Sequence, residues 1–170
     1  MLALVLLLAA PPLQAAEDPL APAREGKLRC IDPDSVKRNC SSIIRYKLGA
    51  SGSFEASVIG IVERAPLTLI SYKISGTVDG DRVCAIVRLD DILAGKLTRN
   101  GELLAPGQAN TVRTRLLTRL DSLAGKRRCF IDQPDGSGIV SNVTINGLVQ
   151  PQMQQRVAWV SPSEGYAIGE

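Results

Sequence analysis

The sequence predicts an α+β domain: an antiparallel sheet of about five or six strands with one amphipathic helix packed on one face, stapled by disulfides. Three observations carry this expectation. Apolar and polar residues alternate with period two in several short segments separated by turn dipeptides. Only one long segment, residues 110–124, spaces its apolar residues as a helix does. The chain has 4 Cys and no His, a pattern that reads as disulfides wherever the compartment is oxidising.

Residues 1–16, MLALVLLLAAPPLQAA, carry no charge. Their apolar run is much shorter than the roughly 20 residues that span a bilayer, but it fits the core of a secretory signal peptide. Pro11 and Pro12 break it, and Ala15-Ala16 offer small residues for cleavage ahead of Glu17-Asp18. The expected organisation is a signal peptide over 1–16, a Pro- and charge-rich flexible mature N-terminus over 17–29, and a single α+β domain over 30–170. No later apolar run reaches spanning length, so no transmembrane segment is expected in the mature chain.

Within the domain, residues 54–63, FEASVIGIVE, read as a strand with Gly60 as a candidate bulge. Ile70, Tyr72, Ile74 and Val78 alternate with polar residues, Asp79-Gly80 follows, and Val83, Ala85 and Val87 alternate again. That is the pattern of a two-residue hairpin; pairing Val78 with Asp81 places Ile74 opposite Ala85 and Cys84 opposite Ser75 on the other face. The predicted helix runs from an Asn110 N-cap to Gly125, with Val112, Leu116, Leu120 and Leu123 on its apolar side. Arg128–Ile131, Ile139–Ile145 before Asn146-Gly147, and Arg156–Val160 complete the expected strands. Pro106-Gly107 reads as a turn.

The preferred cysteine pairing is Cys30–Cys40, closed by the turn-rich Asp32-Pro33-Asp34 loop, with Cys84–Cys129 joining two strands. No C-x-x-C spacing supports zinc or redox chemistry.

Chemistry is mostly excluded. Without His there is no Ser–His–Asp triad, no Cys–His dyad and no histidine-ligated metal site within the chain. Gly49–Ser53 lacks the Lys-Ser/Thr ending of a phosphate loop. Asp90-Asp91 and the pair Asp132 and Asp135 are the candidate carboxylates, better read as a helix start and a turn. The Asp132–Gly138 loop lacks the closing Glu of a calcium loop. Asn39-Cys40-Ser41 and Asn142-Val143-Thr144 match the glycosylation acceptor pattern. Six aromatic residues and a net charge of +3 point away from a nucleic-acid partner.

One charge asymmetry stands out: residues 96–128 hold eight basic side chains against two acidic. Arg113, Arg115, Arg119, Lys126, Arg127 and Arg128 are therefore the candidate surface for an anionic envelope component or protein. The functional expectation is a non-enzymatic binding or scaffolding protein of the periplasm or cell exterior, with no cofactor. The alternative is a small hydrolase using carboxylates.

Overall fold

The computed structural model describes residues 18–169; the signal-peptide reading falls on 1–16, outside the described residues. The α+β expectation is overturned. The chain is mostly β, 49% strand, and eight of its strands close into an antiparallel barrel to which further strands and one long helix are added.

The barrel strands follow one another around the wall in chain order. They are β1 (Leu28–Ile31), β3 (Ser42–Leu48), β4 (Ser53–Glu63), β5 (Thr68–Asp79), β6 (Arg82–Ile86), β9 (Arg127–Asp135), β10 (Gly138–Ile145) and β12 (Gln155–Val160). β12 pairs back on β1, Leu28 opposite Val160, and this ladder removes both sheet edges. The short strands β2 (Asn39–Cys40) and β13 (Ala167–Ile168) pair in parallel outside the barrel; β7 (Lys96–Arg99) and β8 (Glu102–Leu103) extend β5; β11 (Leu148–Val149) extends β10.

Alternation explains why these residues form a barrel. In β4, Phe54, Ala56 and Val58 point inward and are buried while Ser53, Glu55 and Ser57 are exposed. Their neighbours in β3 and β5, such as Tyr46 opposite Ala56 and Tyr72 opposite Val58, share that face. The inward residues form one core with Ile31, Ile44, Val83 and Val157. Leu20, wholly buried, enters this core from the segment ahead of β1, beside the helical turn α1 (Ala21–Arg24). Residues 18–29, read from sequence as flexible, thus contribute a core anchor, a helical turn and the start of a wall strand.

Two of the eight barrel strands, β1 and β3, fall outside the segments the sequence predicts as strands, for different reasons. β3, SIIRYKL, does alternate, with Ile44, Tyr46 and Leu48 inward, so its signal was present. β1, LRCI, is buried on both faces, and an arginine occupies an inward position, which erases the usual pattern. Its outward residues Leu28 and Cys30 lie in a second cluster with Cys40 and Val160, covered by Tyr166 and Ile168.

The β5–β6 hairpin forms, but two residues out of the expected register: Val78 faces Val83 and Asp79 faces Arg82. The loop is therefore Gly80-Asp81, with Gly80 at a positive φ of 62°. A slip of two preserves the faces, so Cys84 still points outward, now opposite Thr77. The Asn146-Gly147 turn forms where expected, both residues having positive φ. The cysteines pair as Cys30–Cys40 and Cys84–Cys129, the second pair directly opposite each other on neighbouring strands β6 and β9.

The long helix is α3, Pro106–Leu120, followed by a 3₁₀ turn, Asp121–Leu123. Pro106 is a first-turn proline rather than part of a loop, so the helix starts earlier than the Asn110 cap implied. It does not lie on a sheet face as expected. Ala109, Val112, Leu116 and Leu120 pack with Ile92 of the short helix α2 (Leu89–Leu93), and with Ile70 and Leu97, at one side of the barrel. The physical cause is in β5. It pairs with β6 from Asp79 to Gly76, and with β7 from Ser71 to Thr68. The change of partner leaves a gap in the wall, and the helices cover it.

Candidate functional site in the barrel interior

Small eight-stranded barrels either fill their interior with side chains or hold one small ligand. Here a cavity of about 490 Å³ remains, within the roughly 300–1,000 Å³ of ordinary ligand sites. Ile44, Val58, Ile70, Ile74 and Val83 line its walls, and Leu116, Leu120 and Leu123 bound it at the gap beside β5. The polar lining includes Tyr46, Tyr72, Arg128 and Gln155, and also Asp32, Ser41, Ser42, Arg64 and Arg88. A wider depression of about 710 Å³ adjoins this cavity, sharing Phe54, Cys84 and Arg88, and is lined by Lys47, Glu55, Ser75, Thr77 and Arg127 among others. Its polar residues lie on solvated strand faces, so the interior cavity is the stronger candidate.

The registers bring a charged group of residues inside. Asp132 stands opposite Ser141, Phe130 opposite Val143 and Val83, and Arg128 opposite Ile145 and Ala85. Arg29, only 2% exposed, donates from Nη2 to Asp132 Oδ1 and to Ser141 Oγ, each at 2.7 Å. The Arg29 guanidinium lies 5.0 Å from the centroid of the Phe130 ring, and that of Arg128 lies 4.7 Å from the same ring. Cation–π attraction offsets part of the cost of removing both charges from water. Asp132 neutralises Arg29, but no carboxylate among the described residues pairs with Arg128, and its Nε is buried without a partner.

The electrostatic consequences follow. Burial lowers the Arg128 guanidinium from its ordinary value; Tyr72 opposes this and the charge of Arg29 adds to it. Arginine does not deprotonate in proteins, so the direction measures how costly that charge is in place. Burial likewise pushes the phenols of Tyr46 and Tyr72 up, with Arg29 beside the first and Arg128 beside the second offsetting part of the rise.

The six basic residues singled out from the sequence do not face one way. Arg113 donates to the Gly95 carbonyl at 3.1 Å, and Arg115 pairs with Glu63 at 2.6 Å. Arg119 and Lys126 are exposed. Arg127 points outward and pairs with Asp79 at 2.8 Å, holding that carboxyl below the usual range by its hydrogen bond and its charge. Arg128, next in the strand, points into the barrel, because successive strand residues face opposite sides. Of the candidate carboxylates, Asp90 and Asp91 stand in the first turn of α2, Asp132 is bound to Arg29, and Asp135 lies at the β9–β10 turn beside Gly136. Among the described residues no cluster of His, Cys, Asp and Glu is arranged to hold a metal ion.

Sequence reasoning missed Arg29, Tyr46, Tyr72 and Phe130 as site residues. A signal existed: Arg29 precedes Cys30 and Arg128 precedes Cys129, and a strand whose cysteine faces outward turns its neighbouring arginine inward. Among the described residues no helix is long and apolar enough to cross a membrane. Comparison with known proteins finds no family, no curated protein and no solved structure that matches the chain.

Proposed function

We propose that this chain is a non-enzymatic binding protein of the periplasm or cell exterior whose barrel interior takes one small apolar molecule. The cavity carries the reading: about 490 Å³ of space, walled largely by apolar side chains, in a closed barrel. The two disulfides support an oxidising compartment. The hydrolase alternative finds no support in the arrangement, since Asp132 is committed to a buried ion pair and Asp135 to a turn.

A neutral fluorescent probe, N-phenylnaphthylamine, tests the reading. It is expected to bind the folded protein with one site. Val58→Trp and, separately, Ile74→Trp place a large ring in the space and are expected to reduce that binding at least tenfold while the protein still melts cooperatively. No saturable binding to the wild-type protein, or binding unchanged in both folded variants, would refute it.

A further inference from the structure

We propose that the molecule held in the barrel is an acyl carboxylate: an apolar chain in the cavity, with its carboxylate seated on Arg128 and Tyr72 beside it. This rests on the binding reading above and adds the chemical class of the ligand.

The interior is out of charge balance. Two guanidiniums lie over the Phe130 ring, and only one of them has a carboxylate. Arg29 is committed through Nη2 to Asp132 and Ser141, although its Nη1 is buried without a hydrogen-bond partner. Arg128 lines the cavity, and among the described residues none of its five N–H groups donates to a protein acceptor. Of the other charged groups lining the cavity, Arg64 has an interaction of its own, and Arg88 pairs with Asp91 at 3.1 Å and donates to Ser75 at 2.6 Å. Asp32 is exposed and accepts from Ser41. Arg128 is half-buried with its Nε wholly enclosed, and a cation so placed without a counter-ion carries a desolvation cost that an incoming anion relieves. The guanidinium fork presents two parallel donors, which match the two oxygens of a carboxylate. Tyr72 lines the same cavity as Arg128 and adds a phenolic donor. Ile44, Val58, Ile70, Ile74, Val83 and Leu116 supply an aliphatic wall, which suits an acyl chain, while other polar lining groups such as Asp32 and Arg88 have partners of their own. Two like charges over one ring would be poor design for a filled core; they suit a cavity whose occupant brings the missing negative charge.

The test is displacement of bound N-phenylnaphthylamine from the full mature protein by decanoate, decanol and decyl phosphate at constant ionic strength. Decanoate is expected to displace the probe at a concentration about tenfold lower than decanol, the scale of one charge-assisted hydrogen-bond pair. Arg128→Met is expected to bring decanoate and decanol to within about twofold of each other, each displacement being referred to the probe affinity measured for that variant. Arg128→Lys, which keeps the charge but loses the fork, is expected to retain part of the preference. Should Arg128→Met fail to fold, the wild-type comparison decides alone. Equal displacement by decanoate and decanol overturns the carboxylate assignment while the barrel reading survives. Decyl phosphate outcompeting decanoate overturns it in favour of a phosphate head. A probe that never binds refutes the underlying reading instead.

Discussion

The Arg29–Asp132 pair offers the most exacting test of how this barrel tolerates charge inside. Asp132→Ala removes the acceptor of a 2.7 Å charged hydrogen bond and leaves Arg29, 2% exposed, facing a second cation across the Phe130 ring. Removing one partner of a buried pair costs about 3–5 kcal/mol. The Asp132 side chain is 19% exposed, so the lower end, about 3 kcal/mol, is expected. The Ser141 hydroxyl stays as the only acceptor for Arg29 Nη2, too weak to replace a carboxylate. Arg29→Met strands the carboxylate instead and is expected to cost about 2–3 kcal/mol. The double variant Arg29→Met/Asp132→Leu removes both charges and restores an apolar fill. It is expected to lie within about 1.5 kcal/mol of wild type, because desolvation of the pair nearly cancels its attraction. Urea unfolding with matched m-values would measure all four corners of the cycle. If the double variant costs the sum of the two singles to within about 0.5 kcal/mol, the residues are not coupled and the account of the interior fails.

Three further outcomes follow from other parts of the fold. Gly76 faces inward where β4, β5 and β6 meet, and a Cβ there would stand 2.1 Å from the Cys84 carbonyl oxygen and 2.6 Å from Phe54 Cζ; Gly76→Ala is expected to cost about 1–3 kcal/mol. Gly107→Ala in α3 meets nothing within 4 Å and is expected to stabilise by about 0.5–1 kcal/mol, so paired thermal melts should move in opposite directions. The Cys84–Cys129 bond spans a sequence separation of 45 and Cys30–Cys40 one of 10; loop-closure entropy makes paired Cys→Ser replacement cost about 4 and about 2.7 kcal/mol respectively, and equal losses in denaturant melts would contradict that ordering. Burial raises the phenols of Tyr46 and Tyr72 in the folded state. Their contribution is complete below the unfolded tyrosine value of about 10 and is lost as pH rises above it, so stability should fall in that alkaline range, and Tyr72→Phe should flatten the fall.

Much of the wall was legible residue by residue. Phe54–Glu63, Ile70–Val78, Ile139–Ile145 and Arg156–Val160 announce themselves because a strand with one buried face must alternate, and Asn146-Gly147 marks its turn because both residues can take positive φ. The cysteine pairs were legible too, one from a turn-rich loop and one from two strand-like runs. β1 was not, since it buries Leu28 and Cys30 outside and Arg29 and Ile31 inside. The site was hidden for the same reason: an inward arginine reads as a solvated one until the register places it.

Local alternation and turn chemistry are properties of neighbouring residues, so they fix where most of the barrel strands run and which residues share a face, and composition removes histidine-based chemistry. Closure is not local. Whether a set of strands stays an open sheet under a helix or joins β12 to β1 depends on pairing between segments more than a hundred residues apart, Leu28 with Val160. That single ladder turned one face of an expected sheet into an interior, moved α3 from a sheet face to the side of a barrel, and separated Arg127 from Arg128. One of two adjacent arginines meets water and Asp79 while the other faces a cavity, because strand geometry alternates direction but only a closed wall gives that direction an inside.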